Sequence, residues 1–170
     1  MASGLANLGL TEIRQGDYEQ AADHLHQART LFAECGDRRD EALTLANLGE
    51  IDLRQGRYEQ AIDRLQRSLD VCRQLGDRQV EADALNGLGE AFLAAGRPAE
   101  ARRQHAAALD AAGQTGNRYE QARAHNGLGR AGRALADLSQ ARDHWQQAAA
   151  LYGELGATEA EQVLDDLARL

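Results

Sequence analysis

The chain has 170 residues, 43% hydrophobic and 27% charged, with one proline and a formal net charge of −8. That balance suits a folded globular chain rather than a disordered one. The acidic excess argues against a nucleic-acid binder, whose usual footprint is a concentrated basic face. No uncharged apolar run is long enough to span a bilayer, and the start lacks the basic-then-apolar pattern of a secretion signal. A cytoplasmic chain without membrane contact is therefore expected.

The first element runs through "LANLGLTEIRQGDYEQA" from Leu5, and the same line returns forty residues later as "LANLGEIDLRQGRYEQA" from Leu45. Further copies start at Leu85 ("LNGLGEAFLAAGRPAEA") and His125 ("HNGLGRAGRALADLSQA"), without insertions. An exact period of this size predicts stacked copies of one supersecondary unit, with repeats over about 1–36, 37–76, 77–116 and 117–156 in a single domain. The first copy lacks the opening turn that Asp37 to Glu41 supply in the second, which suggests excision from a longer protein.

Each copy reads as two helices. In the second, Asp37 is placed to cap a helix carrying Leu45, Leu48 and Ile51 or Asp52 at helical spacing, and Gly56 ends it. The next helix starts near Tyr58, aligns Ala61, Ile62, Leu65, Leu69 and Cys72 on one stripe, and stops at Gly76. In the third copy Pro98 falls in the first helical turn, where a missing N–H costs nothing. Gly49 and Ala61 fall where paired helices would cross closely. After the fourth copy, "ATEAEQVLDDLARL" places Ala160, Val163, Leu164, Leu167 and Leu170 on one stripe, which predicts a capping helix over 157–170.

The pattern of LG, a turn glycine with tyrosine, and then AxxxL, carried by Leu48, Gly49, Tyr58, Ala61, Leu65 and Ser68, resembles the tetratricopeptide repeat over essentially the whole chain. The period is forty rather than thirty-four, and the position three residues after the glycine, where an aromatic is expected, holds Glu12, Asp52, Phe92 and Gly132, an aromatic only in the third copy. The "LNGLG", "GRPAEA" and "LGDR" stretches are similar to the C-terminal repeat region of actinobacterial transcriptional regulators of the NB-ARC/SARP type. The resemblance implies an all-α fold: a right-handed α-solenoid of four helix-turn-helix units with a C-terminal cap.

It also implies a concave groove lined by the first helix of each pair. On this chain the groove positions are Asn7, Leu10, Ile13 and Arg14 in the first copy, then Asn47, Glu50, Leu53 and Arg54. Asn86, Glu90 and Leu93 follow in the third, and Arg123, Asn126, Arg130 and Arg133 in the fourth. An asparagine in every copy offers donors and an acceptor to the backbone of an extended peptide; bonding within the solenoid is the alternative. Five arginines against Glu50, Asp83 and Glu90 suggest a mildly positive groove suited to an acidic or C-terminal segment. A carboxylate clamp for chaperone tails is not expected, because Asp83 and Gly87 occupy its basic positions.

Catalytic signatures do not assemble. "GLGRAG", Gly127 to Gly132, has the letters of a dinucleotide fingerprint, but the periodicity puts it inside a helix rather than between strand and helix. His24 and His26 are two apart, no HExxH occurs, His105 and Trp145 take the leucine position of AxxxL, and His125 replaces the leucine of Leu45. Cys35 and Cys72 lack CxxC spacing. No enzyme, cofactor or metal is expected. The functional expectation is a protein-protein interaction scaffold that binds a peptide or protein segment, such as another domain of its parent protein, in a concave groove, as the regulatory or sensor part of a larger bacterial transcriptional regulator. The alternatives are a self-assembly module that dimerises by stacking repeat ends and a free-standing adaptor.

Overall fold

A computed structural model describes residues 1–170, all helices and connecting turns. Four hairpins follow one another: α1 (Ala2–Gln15) with α2 (Tyr18–Cys35), α3 (Arg38–Arg54) with α4 (Tyr58–Leu75), α5 (Arg78–Ala94) with α6 (Pro98–Thr115), and α7 (Arg118–Ala134) with α8 (Leu138–Leu155). A shorter α9 (Glu159–Ala168) closes the series. Each helix packs on its chain neighbours, and first helices also meet across hairpins, α3 on α5 and α5 on α7. The array is an α-solenoid, in which each hairpin buries its apolar side against the next.

Local chemistry sets the helix ends. Asp37, Asp77 and Asn117 accept backbone N–H bonds from Asp40, Val80 and Glu120 at 3.1, 3.1 and 3.2 Å, so the predicted cap of α3 recurs at forty-residue intervals. Pro98 is the first residue of α6. The turn between the two helices of a hairpin needs a left-handed residue, and Gly16, Gly56 and Gly96 supply it in the first three repeats. In the fourth that position is Ala136, at φ 60°. A Cβ in this region costs about 1–2 kcal/mol, partly offset by the greater unfolded-chain entropy of glycine. Ala136→Gly is therefore expected to raise stability by about 0.5–1 kcal/mol, read as a higher urea midpoint with unchanged slope.

Close crossing of the two helices in a hairpin rests on the repeated glycine. A Cβ at Gly49 would lie 2.8 Å from Leu65 Cγ, and one at Gly129 would lie 2.6 Å from Trp145 Cδ1. Leu25, Leu65, His105 and Trp145 occupy this one position of the second helices, and none is more than 3% exposed. The fingerprint-like glycines belong to the same device. They lie within α7, where a Cβ at Gly127 would strike His105 and one at Gly132 would come within 3.2 Å of Ala141 N.

The acids standing where the aromatic was expected are explained by pairing across the hairpin. Glu12 Oε2 lies 2.8 Å from His24 Nδ1. Asp52, 2% exposed, bonds the Arg57 guanidinium and sits 2.7 Å from Arg64 Nε. At the cap, Ala160, Leu167 and Leu170 pack with buried Val163 against Trp145 and Tyr152, but Leu164 is 53% exposed. The predicted stripe was one residue too wide, because Val163 and Leu164 differ by about 100° around the helix and only one can face inward.

Candidate functional site

The face formed by the first helices carries three adjoining recesses. One, of about 210 Å³, lies between α1 and α3 and is lined by Asn7, Leu10, Leu43 and Asn47 among others. Asn47 also borders a narrow recess of about 30 Å³ with Glu50, Asp83, Glu90 and Arg123. These four acidic and basic residues continue into a wider recess of about 360 Å³, which adds Arg54, Asn126 and Arg130 from α3 and α7, Tyr119 from the start of α7, Tyr152 from α8 and Glu159 from α9. The chain thus brings together Asn7, Asn47, Glu50, Arg54, Glu90, Arg123, Asn126 and Arg130 along one path. Two expected members lie elsewhere: Arg14 is exposed in the last turn of α1 beyond these recesses, and Arg133 stacks over Trp145 at 5.1 Å and reaches Asp166 at 3.2 Å.

Asn86 is the clearest correction. It is fully buried, donates through Nδ2 to Glu120 O at 3.0 Å and Glu120 Oε2 at 2.9 Å, and its Oδ1 accepts from His105 Nδ1 at 2.9 Å. Asn126 likewise accepts from Trp145 Nε1 at 3.0 Å, though its side chain also borders the wide recess. The asparagines do not form one row, because "LANLG" and "LNGLG" place them one position apart, about 100° around the helix. At the register of Asn86 and Asn126 the first two repeats have Ala6 and Ala46. The pairs across the hairpin are then Ala6 with Leu25, Ala46 with Leu65, Asn86 with His105 and Asn126 with Trp145. An asparagine appears where the opposing side chain has an N–H that burial would otherwise orphan. Only Asn7 and Asn47 present amides free of internal hydrogen bonds to the groove.

The groove is not positive. Arg123 is 22% exposed and holds Asp83 at 2.7 Å, Glu90 at 2.9 Å and Glu120 at 3.2 Å. Burial alone would raise Glu90, but the Arg123 guanidinium overrides it and holds the carboxyl below its ordinary value. Glu120 goes the other way, raised by burial against a partly compensating Arg123. Arg54 is bonded to Glu50 at 3.3 Å. The wide recess contains four carboxylates, Glu50, Asp83, Glu90 and Glu159, against three guanidinium groups, and of these only Arg130 lacks an ion pair. The expected preference for an acidic ligand loses support, because Glu159 arrives from the cap and Arg123 is consumed inside the wall, leaving Arg130 as the unpaired guanidinium.

Tyr119, Tyr152 and Glu159 were not foreseen. Tyr119 donates to Glu159 Oε1 at 2.7 Å and meets Tyr152 edge-on, ring centroids 5.8 Å apart. Burial, then the bond to Glu159, pushes the Tyr119 hydroxyl up to about 12, so it remains a donor. Their signal was the scarcity of aromatics, two of four tyrosines falling in the last hairpin. The thiols offer no reactive group at this face: burial pushes Cys72 up to about 11, and Cys35 is exposed at the end of α2.

A family profile described as "Tetratricopeptide repeat" matches residues 1–74 and 80–154. No curated protein sequence matches the chain. Among solved structures, the chain is similar to a Rap protein complexed with Competence and Sporulation Factor (TM-score 0.86, 20% identity, 96% of this chain and 46% of that one). It is also similar to BtubC from P. vanneervenii (0.75, 20%, 91% and 64%) and to aspartyl phosphate phosphatase F from Bacillus subtilis (0.86, 13%, 98% and 43%). At these identities the likeness is one of fold, and the chain spans less than two thirds of each structure.

Proposed function

Since the chain belongs to the tetratricopeptide repeat family, we propose that it is a protein-protein interaction scaffold whose first-helix face holds an extended segment of a partner. The observation that carries this reading is the continuity of the recesses from Asn7 through Asn47 to Arg130, lined by few apolar side chains and many hydrogen-bonding groups. Free amides at Asn7 and Asn47 suit the backbone of the segment, and the excess of carboxylates in the wide recess suits basic side chains on it. A factor bound to the similar Rap fold supports the same use of the architecture. The partner segment is read as part of a larger bacterial transcriptional regulator for which this array is the sensing region, on the strength of the "LNGLG" and "GRPAEA" stretches. Self-association through repeat ends is the second reading; at the α9 end the exposed side carries Glu161 and Asp165 beside Leu164.

Selection from a random peptide display library tests the groove. Enriched peptides are expected to carry lysine or arginine, and Asn7→Ala with Asn47→Ala is expected to weaken them about tenfold at an unchanged urea midpoint, as losing one or two hydrogen bonds predicts. Equal affinity for the double variant would remove the groove from the binding mode.

A further inference from the structure

We propose that His125 and His144 form a two-histidine chelate for a divalent transition metal of tetragonal preference, Cu(II) or Ni(II), outside the groove. The Nδ1 atoms of the two rings face each other across the α7/α8 contact at 3.0 Å, with ring centroids 5.2 Å apart and planes tilted by 41°. Both side chains are half-buried, and neither borders the recesses of the first-helix face.

The other repeats show that packing does not ask for this pair. The equivalent positions are Leu5 with His24, Leu45 with Arg64 and Leu85 with Gln104, so only the fourth hairpin has two imidazoles. In the first two hairpins the basic member is tied to an acid on the first helix, His24 to Glu12 at 2.8 Å and Arg64 to Asp52 at 2.7 Å. The corresponding position in the fourth is Gly132, which has no side chain to hold His144. His144 meets His125 instead, with no carboxylate bonded to either ring. Burial lowers both rings from the ordinary histidine value, so they are neutral and have lone pairs to give near neutral pH.

The spacing of the two nitrogens admits a tetragonal ion. An ion about 2.0–2.1 Å from each nitrogen would subtend roughly 95° across a 3.0 Å gap, close to the right angle between cis positions of a tetragonal site. Binding an ion would replace the hydrogen bond between the two rings, each turning about χ2 until both Nδ1 lone pairs point at the metal, with water free to fill the remaining positions.

Tag-free protein titrated with CuCl2 in a non-coordinating buffer supplies the test, read by calorimetry and by electron paramagnetic resonance. One saturable site per chain with a two-nitrogen hyperfine pattern is expected. His125→Leu, and separately the double variant His125→Leu/His144→Gln, should weaken binding at least about tenfold, since loss of even a supporting contact to a ligand costs 10–100-fold. The double variant installs the residues that the third hairpin already packs, Leu85 and Gln104, and circular dichroism confirms its folding. Absence of a one-to-one site in the wild type, or a site retained in the folded double variant, would overturn the proposal and leave a neutral hydrogen bond between two imidazoles.

Discussion

Replacing Asn86 by alanine is expected to cost roughly 2–3 kcal/mol of folding stability, and adding His105→Leu to recover more than half of it. The loss comes from inside the third hairpin. Asn86 satisfies the Nδ1–H of His105 and the buried carboxylate of Glu120 at once, and all three residues are at most 7% exposed. Truncation removes a partner without admitting water, so the orphaned groups bear their full desolvation penalty. The second substitution removes the need for that partner. It recreates the Ala46 and Leu65 pairing of the second hairpin, which packs Leu65 against Gly49 and Gly87. Urea denaturation of the four chains of this cycle measures the coupling; additive losses would mean that Asn86 and His105 do not depend on each other.

Acidification is expected to weaken the fold by about 2–3 kcal/mol between about pH 7 and pH 4.5 through His105 alone. Burial, opposed by the Glu90 carboxylate and assisted by the positive Arg123 and Arg130, pushes this imidazole down to about 4, whereas in the unfolded chain it titrates near 6.5. Between those values the unfolded state binds a proton that the folded state refuses, so the contribution of His105 to stability falls as pH drops through 6.5 and is fully lost below about pH 4. The physical cause is visible in the packing: Nε2 has no hydrogen-bond partner, and the ring is wedged between Gly89 and Gly127, so a proton there would be buried unpaired. Glu120, raised by its own burial, opposes the trend. His26, His125 and His144, all lowered, add to it. His105→Leu isolates the contribution: its urea midpoint should change less between the two pH values than that of the wild type. An equal pH dependence in both chains would place the acid sensitivity elsewhere.

The architecture was legible because it is written in local, periodic signals. Asp37, Gly56, Pro98 and the forty-residue recurrence of glycine and alanine set helix ends and crossings through forces that act within one hairpin, and the solenoid repeats them. Helical spacing puts Asn47, Glu50 and Arg54 on one side of α3, but that this side lines a recess was an expectation of the resemblance and not of the spacing.

What the linear pattern left open was decided by partners many residues away. A recurring asparagine looks the same in sequence whether it faces a ligand or a neighbour, and the one-position shift between "LANLG" and "LNGLG" takes meaning only when His105 and Trp145 are seen opposite it. Groove charge likewise depended on Glu159 folding back from the cap and on Arg123 being spent on three carboxylates. Helix formation is a property of neighbouring residues along the chain, whereas the availability of a polar group to a ligand depends on which distant group reaches it first.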